Sequence, residues 1–121
     1  MKRFITAAAV LLTLTVASGL ATAGSSGFKT RLGCGKNDGP SRSCPKGSDW
    51  GASFKAETGV RTRYKLCVVP PDGYGTCSNE ETDRRGKDFV SLGGWRIAGA
   101  YVVSWEIGGD VVGRDRLTLR R

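Results

Sequence analysis

Four cysteines, Cys34, Cys44, Cys67 and Cys77, constrain this chain more than any other feature. They fall into two pairs of equal spacing, each with nine residues between its members. Free thiols, zinc and disulfides are the three readings of such a set. Zinc sites usually use closely spaced Cys pairs, often with His, and this chain has neither a C-x-x-C nor a single His. The start of the chain points to export and therefore to disulfides. Met1-Lys2-Arg3 is a short positive region, Phe4 to Ala17 is largely apolar, Gly19 breaks the run, and Ala21-Thr22-Ala23 offers small residues for cleavage. That three-part pattern is a secretory signal over residues 1–23, too short in its apolar part to span a bilayer. The mature chain, residues 24–121, is then expected outside the cell with no membrane anchor.

Four cysteines allow three pairings. Each equal-spaced pair encloses a turn signal, Asn37-Asp38-Gly39-Pro40 in one and Pro70-Pro71-Asp72-Gly73 in the other. Pro at the second position and Gly at the fourth suit a type I turn. The regularity favours Cys34–Cys44 and Cys67–Cys77, each closing a short loop. Such staples matter because only about a third of the residues after position 23 are apolar, a small supply for a core.

The apolar residues that remain are ordered with period two. Val60 to Val69 places Val60, Thr62, Tyr64, Leu66 and Val68 on one face, with Arg61, Arg63 and Lys65 on the other. Ala100 to Ile107 places Tyr101, Val103, Trp105 and Ile107 on one face. Arg114 to Arg120 turns Leu117 and Leu119 inward and its arginines outward. This alternation marks half-buried strands. Phe28 to Leu32, Ala52 to Glu57, Asp88 to Leu92 and Trp95 to Ala98 are weaker strand candidates. Gly35 to Gly51 and Ser78 to Lys87 are expected as loops, the latter lacking any apolar residue. A register setting Val103 opposite Leu117, Tyr101 opposite Leu119 and Glu106 opposite Arg114 keeps apolar residues together, with a bulge near Gly113. No segment has a 3.6-residue apolar period. The expected fold is an all-β, antiparallel two-sheet sandwich in one domain.

Ala98-Gly99-Ala100-Tyr101-Val102-Val103-Ser104-Trp105-Glu106-Ile107-Gly108-Gly109 resembles the late hairpin of immunoglobulin-like and fibronectin-like β-sandwiches in bacterial exported proteins. There, a Gly-x-Tyr precedes an alternating strand and a Gly-rich turn. The resemblance implies that Tyr101 is a tyrosine corner, its hydroxyl bonding to backbone just upstream; Trp105, on the same strand face as Tyr101, is expected to be structural. Cys67 and Cys77 are too close in sequence to be the inter-sheet disulfide of antibody domains. The resemblance implies an architecture and no activity.

The absence of His removes the common general base and the Ser-His and Cys-His nucleophile pairs. Glu80-Glu81 and Asp83 sit beside Arg84-Arg85 and read as a self-neutralising solvated loop. No metal-binding or phosphate-binding motif and no cofactor signature is present. These readings favour binding over catalysis. The candidate contacts are Tyr74, Pro71 and Asp72 in the Cys67–Cys77 loop, with Trp50 as a recognition aromatic or a lid over the core. Stiff loops of this kind are used by inhibitors of extracellular hydrolases. Arg61, Arg63 and Lys65 form a second candidate surface for an anionic polymer, since the chain stays basic after loss of Lys2 and Arg3, at +6 instead of +8. The outward faces carry no aromatics among these arginines, which argues against nucleic acid.

Overall fold

The structure, a computed structural model, describes residues 27–121. The expected signal sequence, residues 1–23, lies outside the described residues. The described residues contain eight strands and no helix. In chain order these are β1 (Phe28–Gly33), β2 (Ser43–Pro45), β3 (Gly51–Ala56), β4 (Arg63–Val69), β5 (Thr76–Glu81), β6 (Lys87–Ser91), β7 (Gly99–Ile107) and β8 (Asp110–Arg120). They form two sheets, β1-β3-β6 and β2-β8-β7-β4-β5.

Alternation decides which face of each strand is buried. Leu32 from β1 and Ala52, Phe54 and Ala56 from β3 point into a core shared with the other sheet. Tyr64, Leu66 and Val68 of β4, Tyr101, Val103 and Trp105 of β7, and Leu117 and Leu119 of β8 meet them. Aromatic rings bridge the sheets at two places. Phe54 stacks on Tyr64 at 4.2 Å between centroids, and Trp50 tilts against Tyr101 at 5.0 Å. The Tyr64 hydroxyl donates to Asp88 Oδ2 at 2.7 Å, tying β4 to β6. Burial first, and then this carboxylate, push the Tyr64 phenol well above its ordinary value, so it stays a donor.

Both disulfides pair as expected, Cys34 with Cys44 and Cys67 with Cys77, and no free cysteine remains. They suggest an oxidising or extracellular compartment. Their environments differ. Cys44 is fully buried in the core, whereas Cys77 lies exposed on the edge strand β5.

Several sequence expectations need correction. The β7–β8 register is displaced by two residues, with Tyr101 opposite Leu117, Val103 opposite Asp115 and Trp105 opposite Gly113. The cause is the turn. Gly108 and Gly109 have φ of 58° and 89°, and two consecutive positive φ values close a two-residue hairpin of the type that matches strand twist. The spare residue is absorbed where Trp105 and Glu106 face Gly113 and Val111, leaving Val112 as a bulge beside Gly113. Gly113 has no room for a side chain, because Thr30 of β1 lies against it.

Ser78 to Lys87 is not one loop. Thr76–Glu81 pairs with β4 as an edge strand whose side chains are nearly all exposed, so no apolar pattern betrays it. Residues Trp95 to Ala98 are not a strand. The Trp95 amide bonds to Leu92 and the Ile97 carbonyl accepts from the Tyr101 hydroxyl, so the segment is used in turns. The Gly35 to Gly51 stretch contains β2, which pairs with β8 in parallel over three residues, an exception to the expected antiparallel arrangement. Its turn falls at Gly35 to Asp38, earlier than Asn37 to Pro40. The long β4 candidate begins only at Arg63. Val60 is 55% exposed and Arg61 precedes the strand.

Candidate functional site

The β4–β5 hairpin is built around its disulfide. Cys67 and Cys77 are directly opposed, with Cα atoms 4.0 Å apart. Beyond them the chain turns at Pro70–Gly73, where the Gly73 amide donates to the Pro70 carbonyl at 2.9 Å. This is the turn expected from Pro at the second position and Gly at the fourth. The Tyr74 amide donates to Asp72 Oδ1 at 3.1 Å, so the Asp72 carboxylate shapes the tip. Pro70 is buried, and Pro71 leans on Gly99 at the start of β7, fixing the tip to the sheet end.

The result is a stiff tip with Tyr74 80% exposed. Tyr74, Val69 and Ile97 are three of the four large apolar side chains with high exposure among the described residues. Tyr74 and Val69 belong to this hairpin, and Ile97 lies two residues before the Gly99 that Pro71 touches. The sequence reading missed Val69 and Ile97. Val69 has outward parity in β4, a signal available in the alternation. Ile97 carries no such signal, because its segment is irregular.

Tyr101 lies beneath this end of the molecule. Its hydroxyl donates to the Ile97 carbonyl at 2.7 Å, four residues upstream. Burial, with a smaller contribution from the Asp72 carboxylate, raises its phenol above the ordinary value. Tyr101 and Trp105 are both fully buried. The Trp105 indole N–H has no hydrogen-bond partner, an exception to the usual satisfaction of buried donors.

Trp50 is corrected as a contact residue. It is fully buried, its Nε1 donates to the Trp95 carbonyl at 3.2 Å, and a partner cannot reach it in this fold. It serves the core, in keeping with the alternative reading as a lid.

Arg61, Arg63 and Lys65 are all exposed, with carboxylates interspersed among them. Arg63 Nε lies 3.6 Å from Glu81 Oε2. Lys65 stands opposite Glu106 of β7 and Asn79 of β5. Arg114 and Arg116 share the outward face of this sheet, and Ser104 and Val102 of β7 lie between them and β4. Asp83 accepts from the amides of Arg85 and Lys87 at 2.8 and 3.0 Å, and these bonds hold its carboxyl below the usual carboxylate value. Among the described residues no group of three or more His, Cys, Asp or Glu is placed to hold a metal ion.

The tip therefore presents a phenol, a proline and one aliphatic side chain on a stapled hairpin, with Ile97 exposed in the segment before β7. Compared with known family models, curated proteins and solved structures, the chain finds no match.

Proposed function

We propose that this chain is an exported, non-catalytic binding module that grips an extracellular protein through the Tyr74 tip. The observation carrying this reading is the exposure of Tyr74 on a loop stapled, proline-stiffened and braced against β7. Exposed aromatics with few rotatable bonds dominate protein interfaces. A tip already held in one shape loses little entropy on binding. Export is supported by the leader and by the two disulfides. The lack of His, with Asp72 committed to the turn, favours contact over chemistry.

The same proposal assigns the domain to the immunoglobulin-like sandwiches. Support comes from two sheets around one core, the Tyr101 hydroxyl bond to Ile97, and the β7–β8 hairpin beside it. A more specific form of the proposal is inhibition of an extracellular hydrolase, with the tip entering the enzyme's cleft. The stapled, proline-stiffened loop with Tyr74 exposed at its tip favours it.

Pulldown from the native extracellular medium tests the reading. A protein retained by the wild-type chain and lost with Tyr74→Ala supports it. Equal capture by both proteins, with disulfides verified, contradicts it. Residual activity of a panel of secreted proteases and amylases separates the inhibitor form from simple adhesion.

A further inference from the structure

We propose that the outward face of the three-stranded sheet is a binding site for an anionic polysaccharide. The register places Lys29 opposite Lys55 and Lys55 opposite Lys87, so three lysines form one row across β1, β3 and β6. Neighbouring strands lie about 4.8 Å apart, and like charges directly opposite one another destabilise a sheet. The repulsion is relieved only in part within the molecule, where the Asp83 carboxylate attracts Lys87. Among the described residues neither Lys55 nor Lys87 has a carboxylate within 4.0 Å. Lys29 alone reaches one, Glu57 at 3.6 Å, and both side chains are exposed, where such pairs contribute little.

The row borders a groove of about 860 Å³. Arg31, Ser53 and Phe89 form the adjacent row across the same three strands. Five cations line the groove, Lys29, Arg31, Lys36, Lys55 and Lys87, against three carboxylates, Glu81, Asp83 and Asp88. Asp88 accepts from the Tyr64 hydroxyl, Asp83 from two backbone amides, and Glu81 pairs with Arg63. The groove therefore keeps an excess of positive charge that a bound anion would neutralise.

A row of cations fits repeated charges along an extended polymer better than a single small anion. Phe89 stands one row from the lysines, opposite Ser53, with its ring over Gly51, and one flat ring on a cationic face suits the C–H face of a sugar. Platforms for single-stranded nucleic acid present successive aromatics to successive bases, and this face has one. Lysines act as point charges that accept carboxylate or sulfate in any orientation. The site rests on the same reading of an exported binding domain but uses no residue of the Tyr74 tip, so either can fail alone.

The test is titration of the mature chain with polygalacturonate and dextran sulfate, with neutral dextran and a thymidine oligonucleotide as the other arms. The site predicts binding of at least one charged polysaccharide, an affinity that falls as salt rises, and no binding of neutral dextran. Lys55→Gln/Lys87→Gln should weaken binding at least tenfold. Arg114→Gln/Arg116→Gln removes the same charge from the other sheet and should change it less than twofold. Lys55→Gln alone should raise the melting temperature without polymer, a readout separating relieved repulsion from damage to the fold. No binding of either charged polysaccharide overturns the proposal. So does equal loss in the two double variants, or oligonucleotide binding at least as tight through the same lysines.

Discussion

Removing the two disulfides one at a time should have unequal consequences, although their loops are equal. Each bond closes a sequence separation of 10 residues, so loop closure alone assigns each about 3 kcal/mol. The surroundings break the tie. Cys44 is fully buried among core residues, and replacing it with Ala also removes a packed sulfur, adding about 1 kcal/mol. It also cuts the cross-link that ties the short β2 to the end of β1, leaving β2 a parallel pairing of only three residues with β8. Cys77 is exposed, and β4 and β5 remain paired over six residue positions without the bond. Cys34→Ala/Cys44→Ala should therefore destabilise by about 4 kcal/mol. Cys67→Ala/Cys77→Ala should lose about 3 kcal/mol or less. At roughly 4–8 °C per kcal/mol for a domain of this size, melting temperatures should separate the two variants by several degrees. Urea unfolding followed by tryptophan fluorescence supplies the independent check. A Cys67/Cys77 variant that is as destabilised as the Cys34/Cys44 variant, or more so, would refute the assignment of one bond to core and the other to tip.

Three further outcomes are expected. Tyr101→Phe removes the hydroxyl bond to the Ile97 carbonyl and should cost about 1–2 kcal/mol in urea unfolding, with the far-ultraviolet spectrum unchanged. Gly113→Ala drives a methyl group into Thr30 and should cost about 1–3 kcal/mol; Thr30→Ala in the same chain should recover much of the loss, and absence of recovery would locate the damage elsewhere. Asp83 has a depressed carboxyl in the fold, so its stabilising contribution is present above the unfolded value near pH 4 and is lost as pH falls through the folded value. Asp83→Asn should accordingly lower the melting temperature at neutral pH and flatten the acid side of the stability profile, and a parallel profile would show that the Thr82–Gly86 turn does not depend on this charge.

Local pattern and long-range geometry divide what the sequence reveals. Tyr64, Leu66 and Val68, and Tyr101, Val103 and Trp105, are inward as their alternation requires, because one buried face imposes period two. Leu117 and Leu119 keep their inward parity through a register shift of two, which leaves parity intact. The shift itself was hidden, since it depends on both Gly108 and Gly109 adopting positive φ and on Val112 bulging out. β5 could not be read, because an edge strand exposed on both faces has no apolar code. β2 was equally silent, three residues held by β8 from the far end of the chain. The Tyr74 tip was legible, since Cys spacing and Pro-Pro-Asp-Gly are both local. Lys29, Lys55 and Lys87 are ordinary outward lysines in three separate segments, and only strand pairing turns them into a row. Trp50 stands in a polar stretch that left two readings open, a recognition aromatic or a lid, and long-range packing into the core decides for the lid.

Proximity labelling at position 74 tests the proposed contact of Tyr74 with a partner. With Tyr74→p-benzoylphenylalanine and both disulfides intact, irradiation in the native extracellular medium should yield one dominant adduct with a single protein. The same photoprobe at Asn79, on the exposed face of β5 in the same hairpin, should yield none. Adducts at position 74 no stronger or more selective than those at position 79 would contradict the account.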